Sequence, residues 1–375
     1  QSVSFLEKYT QHPFPFKKMD FATIPVFQYG GMEHVGAIQY RESKLFLDNS
    51  ATNSEKLSRG KLIAHETAHM WFGDLVTMKW FNDVWMKEVF ANFMADKIMN
   101  PAFPDINHNL QFLTAHYSSA YDEDRTKGSH PIRQNLTNLK NAGSLYGSII
   151  YNKAPIMMRQ LETTMGKEVF QKGIQKYIQK YANSNADWED LVEILDKGTT
   201  LNMKKWSDVW VNQSGRALFT DHIEYGDAQT IKNFVLRQQA EDGSPNVWPQ
   251  IFEIGLVYPD TIKVIQVNVN SRITEIKEAI GLQKPISVIY NYNGYGYGVF
   301  PIDPNNLDKT PEIKDEVARA YSYINAYENT LTGKITAVKA FDVFVKGSAV
   351  EQNELIVNLL SNQLSSIFCD FLTIK

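Results

Sequence analysis

Two histidines and a glutamate crowd five consecutive positions, His65-Glu66-Thr67-Ala68-His69. On a helix turning about 100° per residue, positions 65, 69 and 66 project at roughly 0°, 40° and 100°. All three side chains can then face one cleft. Neutral imidazole nitrogens suit a zinc ion, and a catalytic zinc takes three protein ligands and keeps one position open. Glu66 is too short and too close along the helix to be the third ligand, which leaves it free to hold a metal-activated water and take its proton. The third ligand must come from elsewhere, and Glu88 is the candidate. The helix breaks at Met70-Trp71-Phe72-Gly73-Asp74 and resumes over residues 82–96, with Asn82 as the expected N-cap. Residues 70 to 87, 18 positions, separate His69 from Glu88. The pattern predicts two antiparallel helices that bring both imidazoles and one distant carboxylate to a single cation.

Other elements must hold these helices. Residues 21–27 and 35–40 read as strands on either side of Gly30-Gly31, where glycine lets the backbone turn and approach a ligand closely. The metal helices are expected over 57–71 and 83–99, followed by mostly helical chain from 110 to 181. A short helix is expected over 187–197, with Asp187 as N-cap and Gly198 as stop. Beyond Gln213-Ser214-Gly215 the period changes. Phe252, Ile254, Leu256 and Tyr258 alternate with other side chains, as do Ile286, Val288, Tyr290 and Tyr292. A small β-sandwich over about 216–303 follows, with the glycine-rich run from Asn291 to Gly298 read as a strand pair. Asp303-Pro304-Asn305-Asn306 interrupts the strands, and residues 312–375 return to helix, with Tyr321, Ile324, Tyr327 and Leu331 as its apolar stripe. The fold class expected is α+β and multidomain, with divisions at 1–215, 216–305 and 306–375.

Composition sets limits on function. The chain has 375 residues, 43% of them apolar and 21% charged, with a net charge of −4. This is an ordinary globular balance, and the charge gives no support to nucleic-acid binding. A single cysteine, Cys369, rules out an internal disulfide framework. No membrane span is expected from the apolar runs. Compartment is not indicated.

Several segments together resemble a known family. His65 to Thr77, then Trp80-Phe81-Asn82-Asp83 and Trp85-Met86-Lys87-Glu88, look like the aminopeptidase N family of zinc exopeptidases, which belong to the glutamate-type zincins. Gly30-Gly31-Met32-Glu33-His34 resembles that family's Gly-x-Met-Glu-Asn motif, and Tyr151-Asn152-Lys153 its Tyr-x-Lys segment. The resemblance is strong over about residues 10 to 215. It implies a thermolysin-like, mainly helical catalytic domain over 1–215, a β-sandwich over 216–305 and the start of a helical domain over 306–375. It also implies one zinc ion held by His65, His69 and Glu88, with Glu66 as general base. Only 29 residues precede Gly30, so the family's N-terminal domain is expected as a missing partner that supplies a second amine-binding residue. The chain alone is expected to be a weak or inactive exopeptidase with zinc binding intact.

The resemblance assigns further roles. Tyr151, protonated at neutral pH, would donate a hydrogen bond to the tetrahedral oxygen, a contribution of about 3 kcal/mol. Glu33 would bind the free α-ammonium of a peptide substrate. Gly30, Gly31, Met32 and His34 would line the substrate backbone, and Tyr29 and Tyr146 the pocket for its first side chain. His34 stands where the family has Asn, and Ala154 where it has Gly. Asp83 is a candidate to orient a ligand histidine. Two alternatives stay open: a zinc endopeptidase, and a catalytically weak zinc-containing module that only binds peptides.

Overall fold

Capped helices and short alternating strands give a chain of mixed helix and small sheets. The computed structural model describes residues 1–372, apart from the side chains of Ser144 and Leu145. Two compact units are formed, one from Gln1–Ile106 and His130–Asn212, the other from Asn107–Ser129 and Gln213–Lys375.

In the first unit a three-stranded sheet flanks the histidines. Strand Asp20–Ile24 pairs in parallel with Ala37–Arg41, and the two-residue strand Gly31–Met32 pairs antiparallel on the other side, at the sheet edge. The first strand stops short of the expected 27 because Pro25 has no N–H to give the ladder. The central strand begins after Gly36, whose φ of 84° turns the chain.

The first histidine helix spans Asn53–His69 and starts four residues before its expected position. Thr52 is the reason. Its hydroxyl accepts the Glu55 N–H at 3.2 Å, and the Glu55 carboxylate accepts the Thr52 N–H at 2.8 Å, a reciprocal capping box. After His69 the chain leaves the helix in a wide turn. The N–H groups of Asp74 and Leu75 reach back five residues to the carbonyls of His69 and Met70. Gly73 takes a φ of 135°, open to glycine and rarely to other residues. Residues Val76–Met78 then pair in parallel with Ser184–Ala186.

The second helix is Val84–Met99, entered through a 3-10 turn at Phe81–Asp83. Asn82 does not cap it. Its Oδ1 instead accepts the Leu136 N–H at 2.6 Å. The two helices can approach closely because Ala64 and Ala68 on one, and Ala91 and Ala95 on the other, are small and buried. The rings of Phe72 and Phe90 stack at 4.9 Å alongside.

Helix is less continuous over 110–181 than expected. Helix His108–Asp124 belongs to the second unit. Residues 125–148 are turns and irregular chain apart from a 3-10 segment at Leu139–Leu145. Helix resumes at Ile149–Lys153 in π form, followed by Ala154–Met165 and Lys167–Tyr181. The expected Asp187 cap is present, and its helix runs over Trp188–Asp196.

The second unit contains two small sheets. One orders its strands as Ile273–Glu275, Ile231–Ala240, Ala217–Tyr225 and Gly298–Val299; the other as Ser287–Ile289, Gln250–Val257 and Ile262–Val269. Alternation at Phe252, Ile254 and Leu256 buries all three. Ile286 departs from the pattern and is 46% exposed, while adjacent Ile289 and Tyr290 are both buried. The glycine-rich run is a turn closed by one side chain, not a strand pair. Asn291 Oδ1 accepts the Gly296 N–H at 2.6 Å and its Nδ2 donates to the Gly296 carbonyl at 2.9 Å. Phe219, Phe252 and Phe300 join the two sheets, with ring centroids 4.5 to 5.8 Å apart.

Three helices follow, Glu316–Leu331, Ala337–Val350 and Glu354–Ile367, the last continuing in π form to Leu372. Of the expected stripe, Tyr321 and Ile324 are buried, while Tyr327 and Leu331 are only half-buried. The final positions of the expected helix, 373–375, lie outside the described residues. One helix, Glu354–Leu372, is long and apolar enough to cross a membrane by length and composition alone, a test that core helices of globular proteins also pass. Its buried residues Ile356, Leu359, Leu360, Gln363 and Ile367 form one packed face, which is also what a core helix shows.

Candidate metal centre and active site

His65 and His69, one turn apart on the first helix, set their rings edge-to-face with centroids 4.6 Å apart. His65 Nδ1 lies 2.9 Å from Asn92 Oδ1, and His69 Nδ1 lies 3.0 Å from the Phe72 carbonyl. Donating both Nδ1 hydrogens to these oxygens leaves both Nε2 lone pairs facing inward, 3.1 Å apart. Glu88 Oε2 stands 3.5 Å from one Nε2 and 4.0 Å from the other. Three electron-rich atoms thus converge, all within 4.8 Å of one another. Lone pairs so placed repel unless a cation or proton lies between them. Two imidazole nitrogens, one carboxylate oxygen and anchored far sides of both rings form a donor set that fits zinc.

The electrostatics show the same tension. Burial opposes charge on His65, but the Glu88 carboxylate outweighs it and lifts the imidazole above its usual value. Burial, followed by the neighbouring His65, pulls His69 down to about 4. Glu88 is buried too, yet His65, His69 and Lys87 hold it well below the usual carboxylate range. Glu66 is pushed up to about 7, chiefly by burial, with Glu33 and Glu88 adding repulsion against His65. A divalent cation among the three converging atoms would lower it again.

Glu33 stands beside this cluster. Oxygens of Glu33 and Glu66 and a nitrogen of His69 also lie within 4.8 Å of one another. Glu33 follows the edge strand, and its neighbours show why that strand holds glycine. The Gly30 carbonyl takes the Arg41 N–H at 2.9 Å, and a Cβ on Gly31 would overlap the Glu66 carboxylate. Met32 completes the strand, half-buried, while His34 is exposed beyond it. Burial works against charge on Glu33, but His69 and Lys87 more than offset it and hold the carboxyl below its usual value. Lys87 Nζ sits 2.7 Å from Glu33 Oε1 and 2.6 Å from Glu88 Oε1.

Tyr151 lies in the π-helical turn Ile149–Lys153, a wide turn that often marks functional positions. Its phenol is raised well above the usual value, first by burial and then by Glu88, and so stays protonated. Tyr146 stacks against it at 6.3 Å. Tyr146 is also raised, mainly by burial and against the pull of Lys87, with Glu88, Glu33 and Tyr29 adding to the rise. Tyr29 packs edge-on against Phe27 at 5.8 Å and is 48% exposed. Ala154 and Pro155 open the next helix, where proline is tolerated.

One expected role is corrected. Asp83 orients no histidine; its Oδ2 accepts from Arg133 at 2.9 Å. Asn92 is the side chain that holds His65, one turn beyond Glu88 on the same helix. Its i+4 position places it on the same helix face as Glu88, but no spacing ties it to His65. Lys87 and Asp74 also stand beside the cluster without any spacing signal of their own. Asp74 is pushed up to about 7, by burial first and then by Glu33.

Comparison with known proteins adds a second line of observation. The chain matches the peptidase family M1 domain over residues 1–210. It is similar to a probable aminopeptidase 1 of Sulfurisphaera tokodaii, 27% identical over 372 residues, covering 98% of this chain and 45% of that protein. It is 28% identical over 382 residues to an aminopeptidase N of Streptomyces lividans, covering 96% and 44%. An aminopeptidase M1-C of Oryza sativa is 37% identical over 230 residues, covering 61% and 26%. The chain spans about half the length of the first two relatives. The matched segment holds both histidines, Glu88, Glu33 and Tyr151, and it makes up more than half of the sequence. On that match the chain belongs to peptidase family M1.

Proposed function

We propose that this chain carries the catalytic centre of a zinc-dependent aminopeptidase, which hydrolyses the first peptide bond of peptides with a free amino terminus. His65, His69 and Glu88 would hold the metal. When bound, zinc would supply Lewis acidity toward a carbonyl and toward water. Glu66 accepts the proton of the attacking water and delivers it to the departing amine, so the base of the first step is the acid of the second. Tyr151 donates its phenolic hydrogen to the oxygen that gains charge. Glu33 receives the α-ammonium. The open edge of Gly30-Gly31-Met32 offers backbone groups to the substrate chain, beside His34, and Tyr29 and Tyr146 flank the first side chain. In domain terms, 1–215 is the thermolysin-like catalytic part, 216–305 a β-sandwich, and 306–375 part of a helical domain.

One observation carries the reading: two Nε2 atoms and Glu88 Oε2 converge at 3.1 to 4.0 Å, while the acids assigned as base and amine receptor stand beside them. A second reading, a zinc endopeptidase, draws on the Lys87 contact that already occupies Glu33. The test is Glu66→Gln in the zinc-loaded protein, assayed on N-free and N-acetylated peptides. The expected outcome is unchanged zinc content and a loss of about 10²–10⁴ in turnover on N-free peptides. Undiminished turnover would overturn the role of Glu66, and preferential cleavage of acetylated peptides by the unsubstituted protein would favour the second reading.

A further inference from the structure

We propose that Lys87 is an internal rival for the substrate's amino terminus and thereby sets how strongly the site selects free amines. This deepens, and rests on, the aminopeptidase reading. Glu33 is the carboxylate assigned to the substrate ammonium, yet an ammonium already touches it. Lys87 Nζ lies 2.7 Å from Glu33 Oε1, and all three side chains of the Glu33–Lys87–Glu88 chain are at most 16% exposed. At this burial an ion pair is weakly screened. The position of Lys87 is set by its surroundings. Its stem runs past Gly73, where an added Cβ would meet Lys87 Cβ at 3.4 Å and Cδ at 3.5 Å. Its second contact is on Glu88 Oε1, whereas Glu88 Oε2 faces the histidines. One glutamate thus divides its oxygens between the lysine and the candidate metal position.

An incoming α-ammonium carries the same charge and the same kind of N–H donors as Lys87. Two such groups on one carboxylate repel. The four-carbon stem lets Lys87 release Glu33 while keeping Glu88. Binding a free amine therefore costs one buried contact that an N-acylated peptide leaves intact. Removing the lysine charge unmasks Glu33. A merely structural lysine would behave differently, because its loss would let Glu33 and Glu88 drift and weaken all ligands together.

The experiment uses the zinc-loaded chain carrying Glu66→Gln, so that the free-amine probe is not hydrolysed, and two probes, leucinamide and N-acetyl-leucinamide, with affinity measured by titration calorimetry and zinc content by metal analysis. Lys87→Gln and Lys87→Met are each expected to tighten leucinamide about tenfold, with the acetylated probe unchanged. Lys87→Arg is expected to keep the original ratio of the two affinities. Two neutral replacements guard against a folding defect in either. An unchanged ratio in both neutral variants, or parallel weakening of both probes, would overturn the proposal while leaving the aminopeptidase reading in place. An unsubstituted chain that takes up no zinc and binds neither probe would overturn both.

Discussion

At the scale of single residues the candidate site depends on how closely unlike groups are packed. Gly31 shows this. It belongs to a two-residue edge strand, and an added methyl group there would overlap the Glu66 carboxylate. The carboxylate is the flexible partner and would move. Gly31→Ala is therefore expected to leave zinc binding and the melting temperature close to those of the parent, and to lower turnover about a hundredfold through misplacement of Glu66, the proposed base. Steady-state kinetics with metal analysis would check it, and unchanged turnover would contradict the assignment. His65, Glu66, His69 and Glu88 stand out in the sequence as candidates because metal chemistry restricts both residue type and helical spacing. Lys87, Asn92 and Asp74 could not, since a lysine, an asparagine and an aspartate on a helix or loop are most often solvated.

At the scale of elements, local capping decides where the helices begin. The Thr52–Glu55 box starts the histidine helix, and Asp187 with Asp190 starts Trp188–Asp196. Asp190 carries more than a cap. Burial opposes its charge, but Lys79, the Asp187 N–H and the Tyr181 hydroxyl outweigh that and hold it at about 2, against 3.8 for the free group. A depressed acid stabilises the fold above its unfolded pKa and loses that contribution as pH falls through the folded one. The expected loss lies between about pH 4 and pH 2, and at most about 1 kcal/mol is at stake because the Lys79 partner is 48% exposed. Asp190→Asn should lower urea stability at pH 6 and converge with the parent near pH 2; an equal difference at both pH values would rule out this pair. Caps such as Asp187 are legible because both partners lie three residues apart. The Gly31–Met32 strand is not, because two residues form a strand only when a distant one, Ala37–Arg41, pairs with them.

At the scale of the whole molecule, the chain folds into two units whose boundaries do not follow sequence order. Helix His108–Asp124 leaves the first unit and packs in the second, where Tyr121 contacts the Gly298 carbonyl at 3.0 Å. Arg216 organises that second unit. It is 1% exposed, donates to Glu241 and Glu328 at 2.7 Å, and lies over the Tyr121 ring at 4.7 Å. Arg216→Met leaves buried Glu328 with Arg125 as its one ion-pair partner among the described residues. The expected destabilisation is about 3 kcal/mol, read as a fall in melting temperature by calorimetry; a change within about 0.5 kcal/mol, as for a surface substitution, would show that the pair is not integral to the unit.

The amino-acid sequence by itself determined which atoms could bind a metal, which acid could move a proton, and that strands and helices alternate in separate stretches. These follow from residue chemistry and from spacings of a few positions, where the backbone period is known in advance. Tertiary structure alone decided that Glu33 already holds an ammonium, that Asn92 and not Asp83 fixes a histidine, and that an early helix joins the later strands. Each of those contacts links residues whose separation along the chain carries no periodic signal, so only the folded packing of charge against charge and ring against ring could bring them together.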